Sequence, residues 1–152
     1  VTERQTTSAP DLLALESQVC FALAVASRRV IGLYRPLLEP MGLTHPQYLV
    51  MLALWQHEPL TVRELADLLS LESATLSPLL KRLEAIGYLT RPRRPDDERA
   101  LQVALTPEGR ELRDRAVEIP PAMMAKLQMD VEEVQELHQR LTDLIKRATD
   151  AS

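Results

Sequence analysis

The chain has 152 residues, enough for one sizeable core and too few for two; 45% hydrophobic content, rich in leucine and poor in aromatics, favours a mainly α body. A formal charge of −4 disfavours a nucleic-acid partner only when averaged: residues 73–94 carry Lys81, Arg82, Arg91, Arg93 and Arg94 against Glu84 alone, a local +4 that leaves −8 elsewhere. The longest apolar run, Tyr48 to Trp55, is too short to span a bilayer, the start shows no leader pattern, and one cysteine allows no internal disulfide, so a cytoplasmic protein without membrane contact is expected.

Asp11 after Pro10 is placed to cap a long first helix running to about Leu38. Its main apolar stripe is Leu12, Leu15, Val19, Ala22, Ala26, Val30, Leu33 and Leu37, with a second stripe through Leu13, Cys20, Leu23, Ile31 and Tyr34. Two adjacent stripes make the helix apolar over a wider arc than one neighbour needs. Pro36 and Pro40 bring it to an end. Thr44 and Gln47 then form a candidate capping box, with Pro46 in the first turn where its missing N–H is harmless. The helix from Pro46 to about Gln56 is almost wholly apolar and is expected to be central.

Residues 61–106 are the organising stretch. Thr61 and Glu64 suggest a second capping box, and Val62, Leu65, Leu68 and Leu69 mark the apolar side of a short helix. Leu71-Glu72-Ser73 turns the chain into a further helix with Leu76, Leu79, Leu80, Leu83 and Ile86 on its buried side. Its other side carries Ser73, Thr75, Ser77, Lys81 and Arg82. Small hydroxyls near a helix N-terminus can approach bases and phosphates, while the cations hold the backbone, as a recognition helix in a DNA major groove requires. Pro78 falls inside this helix and should cost it one hydrogen bond.

Gly87 ends the helix. Leu89–Arg91 and Leu101–Leu105 follow as a two-stranded hairpin, with Pro92 keeping the first strand short and the charged run Arg93–Arg99 at the tip. The order of elements is a winged helix-turn-helix. Thr106-Pro107-Glu108 starts another helix, interrupted near Pro120-Pro121, and a last helix carries Leu127, Val131, Val134, Leu137, Leu141, Leu144 and Ile145. The terminal helices, 11–38 and 107–148, thus hold apolar surface beyond a monomer's need. A homodimer built from both is expected, around a single domain spanning 1–152.

Read from its residues alone, Cys20 is a small buried hydrophobe, Tyr34 a half-buried tyrosine and His45 a surface residue at a helix start. His45, His57 and His138 are scattered, without ligand spacing, so no metal is expected. With no G-x-S-x-G, phosphate-binding or dinucleotide-binding glycine pattern, neither an enzyme nor a cofactor is expected.

Val19-Cys20-Phe21-Ala22-Leu23, Tyr34-Arg35-Pro36-Leu37-Leu38, Gly42-Leu43-Thr44, Pro46-Gln47-Tyr48-Leu49, the run Thr75 to Glu84 and the wing-tip Asp97-Glu98-Arg99 resemble the MarR family of winged-helix regulators. The similarity covers nearly the whole chain and is greatest to the OhrR type, repressors that sense organic hydroperoxides. It implies that Cys20 is the sensor, oxidised to a sulfenic acid that leads the repressor to release DNA. With no second cysteine, it implies the one-cysteine class, in which a small cellular thiol caps the oxidised sulfur or over-oxidation follows. Tyr34 matches a tyrosine that hydrogen-bonds the sulfur; fourteen residues of helix span about 21 Å, so any such contact must cross a dimer interface. A phenol that donates to a thiolate favours its charged form.

The chain departs from the family pattern in having His45 before Pro46, where many relatives have a second tyrosine, and Ala24 one turn after the cysteine. His45 could replace the missing donor. For DNA, the resemblance implies that Ser73, Thr75, Ser77, Pro78, Lys81 and Arg82 face the major groove. Arg99 would enter the minor groove, oriented by Asp97, and Arg93 and Arg94 would meet phosphates. A pseudopalindromic operator in double-stranded DNA would match the dimer's symmetry. The rival readings are a MarR regulator released by a small aromatic or lipophilic ligand and, further off, a thiol peroxidase.

Overall fold

In a computed structural model, residues 11–94 and 97–152 are described, and the chain divides into two compact units, one up to Leu33 and one from Tyr34 onward. In the first, the long helix expected from Asp11 begins only at Val19: α1 spans Val19–Leu38, preceded by a 3₁₀ turn over Leu15–Ser17. Local polar groups compete with the helix there. The Asp11 carboxylate accepts from the Leu13 N–H, and the Gln18 side-chain amide donates to the carbonyls of Leu12 and Ala14. Gln18 itself is extended, at φ −82° and ψ 118°. Leu12, Leu13, Leu15, Val19, Phe21, Leu23 and Ile31 are all exposed in the protomer.

In the second unit, α1 ends in a 3₁₀ turn, Glu39–Met41, closed by Gly42 in the left-handed region. α2, His45–His57, starts with the expected capping box: Thr44 accepts from the Gln47 N–H while Gln47 accepts from the Thr44 N–H. That use of its amide lets Gln47 be buried. Tyr48, Val50, Met51 and Leu54 are buried around the same helix, which makes it the centre of the unit.

Strand β1, Leu60–Thr61, leads into α3, Val62–Leu69. The Thr61 hydroxyl caps α3 by accepting from the Glu64 N–H, but the reciprocal half of the box is absent: the Glu64 carboxylate accepts from that same hydroxyl instead. Leu65 and Ala66 are buried, whereas Leu68 is exposed. After Ser70 in the left-handed region, α4 spans Ser73–Ile86 and ends at Gly87, with φ 100°.

The hairpin is more divided than expected. β2 covers Leu89–Thr90, β3 Arg93–Arg94 and β4 Asp97–Leu105, so the strands run into the charged stretch assigned to the tip. Pro92, which has no N–H for a ladder, lies between β2 and β3. β1 was not anticipated; it pairs antiparallel with β4 (Leu60 opposite Val103), and β2 lies along β4's other side (Leu89 opposite Leu105). Glu58 ties the end of α2 to this sheet, accepting from the Leu105 N–H and from Arg110.

α5, Pro107–Ala116, is capped by Thr106, and α6 spans Ile119–Leu127. The interruption expected near Pro120 and Pro121 falls at Val117–Glu118, and the two prolines then sit in the first turn of α6, where their missing N–H groups leave no bond unmade. α7, Val131–Asp150, follows with its own capping box between Asp130 and Glu133, which places Leu127 in the preceding helix. α7 buries none of its residues, leaving Val131, Leu137, Leu144 and Ile145 exposed. Among the described residues, no helix is long and apolar enough to cross a membrane.

Candidate functional site

α4 separates its faces as its periodicity requires. Leu76, Leu80 and Leu83 are buried completely, and Ser73, Thr75, Ser77, Pro78, Lys81 and Arg82 are all exposed. Leu79 is half-buried, and Ile86, in the last turn, is exposed. Pro78 leaves the Ala74 carbonyl without its usual donor, and Ala74 lies on the exposed side, where water can take that place. Lys81 and Arg82 are in none of the ion pairs formed among the described residues, whereas Arg91 pairs with Glu84 at 3.4 Å. Among the described residues, Lys81 and Arg82 are thus the cations of α4 that stand outside an ion pair. The backbones of Arg93, Arg94, Asp97 and Arg99 belong to β3 and β4; their side chains lie outside the described residues.

A second group forms where α1 gives way to α2. The Tyr34 ring, on the last turns of α1, lies 4.9 Å from the imidazole of His45, at the start of α2. Tyr48 completes the group, its ring centre 5.8 Å from Tyr34 and 6.3 Å from His45. Tyr48 was not among the expected site residues, because it reads as one more apolar position of α2. The available signal was its spacing: three residues after His45, it shares that residue's side of the helix.

Burial sets the protonation of this group. It raises the pKa of Tyr34, and that of Tyr48 further through the neighbouring Tyr34, so both phenols keep their protons near neutrality. Burial lowers the pKa of His45, leaving a neutral imidazole at pH 7. The cluster is thus a set of neutral donors and acceptors, without a fixed cation. Because folding depresses the His45 pKa, the unfolded chain binds the extra proton first on acidification. Stability is unaffected above the unfolded value and falls as pH drops through it toward the folded value. Thermal midpoints measured from pH 7.5 down to 5.5 should therefore fall less for His45→Gln than for the native chain; equal slopes would contradict the assignment.

Cys20 lies near the start of α1 and is a free, exposed thiol in the protomer, not the small buried hydrophobe that composition alone suggests. Ala24, one turn on, is also exposed. Among the described residues, no group of three or more His, Cys, Asp or Glu side chains is arranged to hold a metal.

A sequence profile described as the MarR family matches residues 43–101, from the turn before α2 into β4. The organic hydroperoxide resistance transcriptional regulator of Bacillus subtilis (strain 168) is 40% identical over 136 residues, covering 90% of this chain and 92% of that protein. Among solved structures, reduced AbfR bound to DNA matches with a TM-score of 0.74 at 32% identity, covering 89% of this chain and 94% of that one. Overoxidized AbfR bound to DNA gives 0.73 at 32% identity, covering 88% and 94%; AbfR is a protein of Staphylococcus epidermidis. With 40% identity sustained over nine-tenths of its length, and with a winged helix-turn-helix between helical ends, the chain belongs to the MarR family of transcriptional regulators.

Proposed function

We propose that this chain is a homodimeric DNA-binding repressor that senses organic hydroperoxides through Cys20 and releases its operator when that sulfur is oxidised. The observation that carries the reading is the likeness over 90% of the chain to a regulator named for organic hydroperoxide resistance, in a sequence whose one cysteine is an exposed thiol on α1.

In the sensing step the Cys20 thiolate attacks one oxygen of the hydroperoxide. An S–O bond forms, the O–O bond breaks, and the alkoxide leaves as the alcohol after taking a proton. Sulfur is oxidised to a sulfenic acid and the peroxide is reduced. With no second cysteine in the chain, a small cellular thiol then condenses with the sulfenic acid, releasing water. Each thiol of a sensor consumes about one peroxide before it must be reduced, so sustained turnover would point to a thiol peroxidase instead. Tyr34 and His45 of the partner copy, with Tyr48 behind them, are the donors proposed to face the sulfur. The exposed apolar residues of α1 and α7 support the dimer that this contact needs.

On DNA, Ser73, Thr75, Ser77 and Pro78 are proposed to enter the major groove, with Lys81 and Arg82 on phosphates. Arg93 and Arg94 are assigned to the backbone, and Arg99, oriented by Asp97, to the minor groove. The dimer would read a pseudopalindromic operator with half-sites about one helical turn apart. Arg82→Ala tests this directly. Each phosphate contact contributes about 0.9 to the slope of log affinity against log salt. A dimer that loses two such contacts should bind more weakly and show a slope shallower by roughly 1.8 in a salt titration. An unchanged slope would put Arg82 away from the DNA.

A further inference from the structure

The short turn that joins Tyr34's helix to His45's helix is held by two side chains, one from the residue between α4 and β2 and one from α5. The Tyr88 hydroxyl donates to the Met41 carbonyl at 2.6 Å, and Arg115 of α5 donates to the neighbouring Pro40 carbonyl at 3.2 Å. Met41 is buried and the first of these bonds is part-buried, which limits competition from water.

Tyr88 is also a junction through its backbone. Its N–H donates to the Leu83 carbonyl in the last turn of α4, directly after the Gly87 cap. Its carbonyl accepts from the Thr106 N–H, where β4 passes into α5, and the Thr106 hydroxyl bonds the Gly87 carbonyl beside it. One residue thus joins three parts: the end of the recognition helix, the root of the wing and the turn between Tyr34 and His45.

We infer that Tyr88, assisted by Arg115, is a positioning residue that sets the recognition helix and wing according to the place of the Glu39–Met41 turn, and so couples the state of the sensing site to DNA affinity. This rests on the redox reading above. Coupling is the ratio of DNA affinities in the two states, and it need not follow the affinity of either state alone. A hydroxyl that only stabilised the fold would change both affinities together and leave their ratio alone.

The experiment measures operator affinity for reduced and hydroperoxide-oxidised wild type, Tyr88→Phe and Arg115→Gln, with mass spectrometry following oxidation of Cys20. Tyr88→Phe should oxidise as the wild type does, yet its reduced-to-oxidised affinity ratio should fall at least fivefold toward one. Arg115→Gln should shift the ratio in the same direction by a smaller factor. Ratios within twofold of wild type for both variants would overturn the inference while leaving the redox reading intact. A wild-type protein that is oxidised and stays bound would overturn both.

Discussion

Cys20→Ser protein should bind its operator with near wild-type affinity and keep holding it when organic hydroperoxide is added. Sulfur is the difference. A cysteine sulfur attacks peroxide, whereas a serine hydroxyl without an adjacent base is a poor nucleophile. The exchange is also mild structurally, since it replaces one sulfur by an oxygen and leaves the rest of the side chain unchanged. The wild type should lose roughly 5–150-fold in affinity on oxidation, the usual range for coupling between two sites. Fluorescence anisotropy on labelled operator reads both. A ligand-released regulator would respond with or without the sulfur, so a Cys20→Ser protein that still lets go would remove the redox reading.

Gly109→Ala should be among the most destabilising single changes in the chain. Gly109 is buried in the first turn of α5, where an added Cβ would overlap the Tyr88 carbonyl oxygen and stand 3.3 Å from Leu105 Cδ2. The oxygen is backbone and already accepts from Thr106, so no flexible side chain can yield. Trp55 fixes the site from the other side by donating to the Gly109 carbonyl at 2.9 Å. Alanine's better helix propensity offers up to ~1 kcal/mol in return. Overpacking against backbone costs more, typically about 1–3 kcal/mol and above that where nothing can relax. A net loss of about 2 kcal/mol should lower the thermal midpoint by roughly 4–8 °C. A variant as stable as wild type would mean that α5 can draw away from Tyr88, loosening the junction on which the coupling depends.

What could be read in the chain was what local chemistry decides. Thr44 and Gln47 form their box because both partners lie within one turn, and Gly87 ends α4 because the left-handed position there suits a residue without Cβ. The exposed face of α4 was legible for the same reason: a 3.6-residue period that buries Leu76, Leu80 and Leu83 must expose Thr75, Lys81 and Arg82. The losses have a common cause in distant partners. Leu60 and Thr61 are a strand only because β4 lies alongside, and two residues carry no period. Asp11 looked like a helix cap because nothing in the chain announces that Gln18 will claim the nearby carbonyls. The break before Pro120 and Pro121 was, by contrast, local and legible: prolines tolerated in a helix's first turn cannot sit in its interior without losing bonds.

For the candidate site the division is sharper. Tyr34 and His45 could be paired only through resemblance, being separated by a turn whose path no periodicity predicts, and the structure brings their rings together. Tyr48 was hidden in an apolar run, and Tyr88 reaches Met41 across forty-seven residues of chain. Cys20 carries no local signal at all: a lone cysteine is most often a core residue, and only the family pattern marks this one out.

The central claim is that oxidation of one sulfur sets the protein free from DNA. It is tested most directly by adding less than one equivalent of organic hydroperoxide to the operator complex, separating bound from released protein, and mapping the modification in each fraction by mass spectrometry. Released protein should carry added oxygen or a thiol adduct on the Cys20 peptide, while bound protein should carry the free thiol. Released protein with an unmodified Cys20 would contradict it.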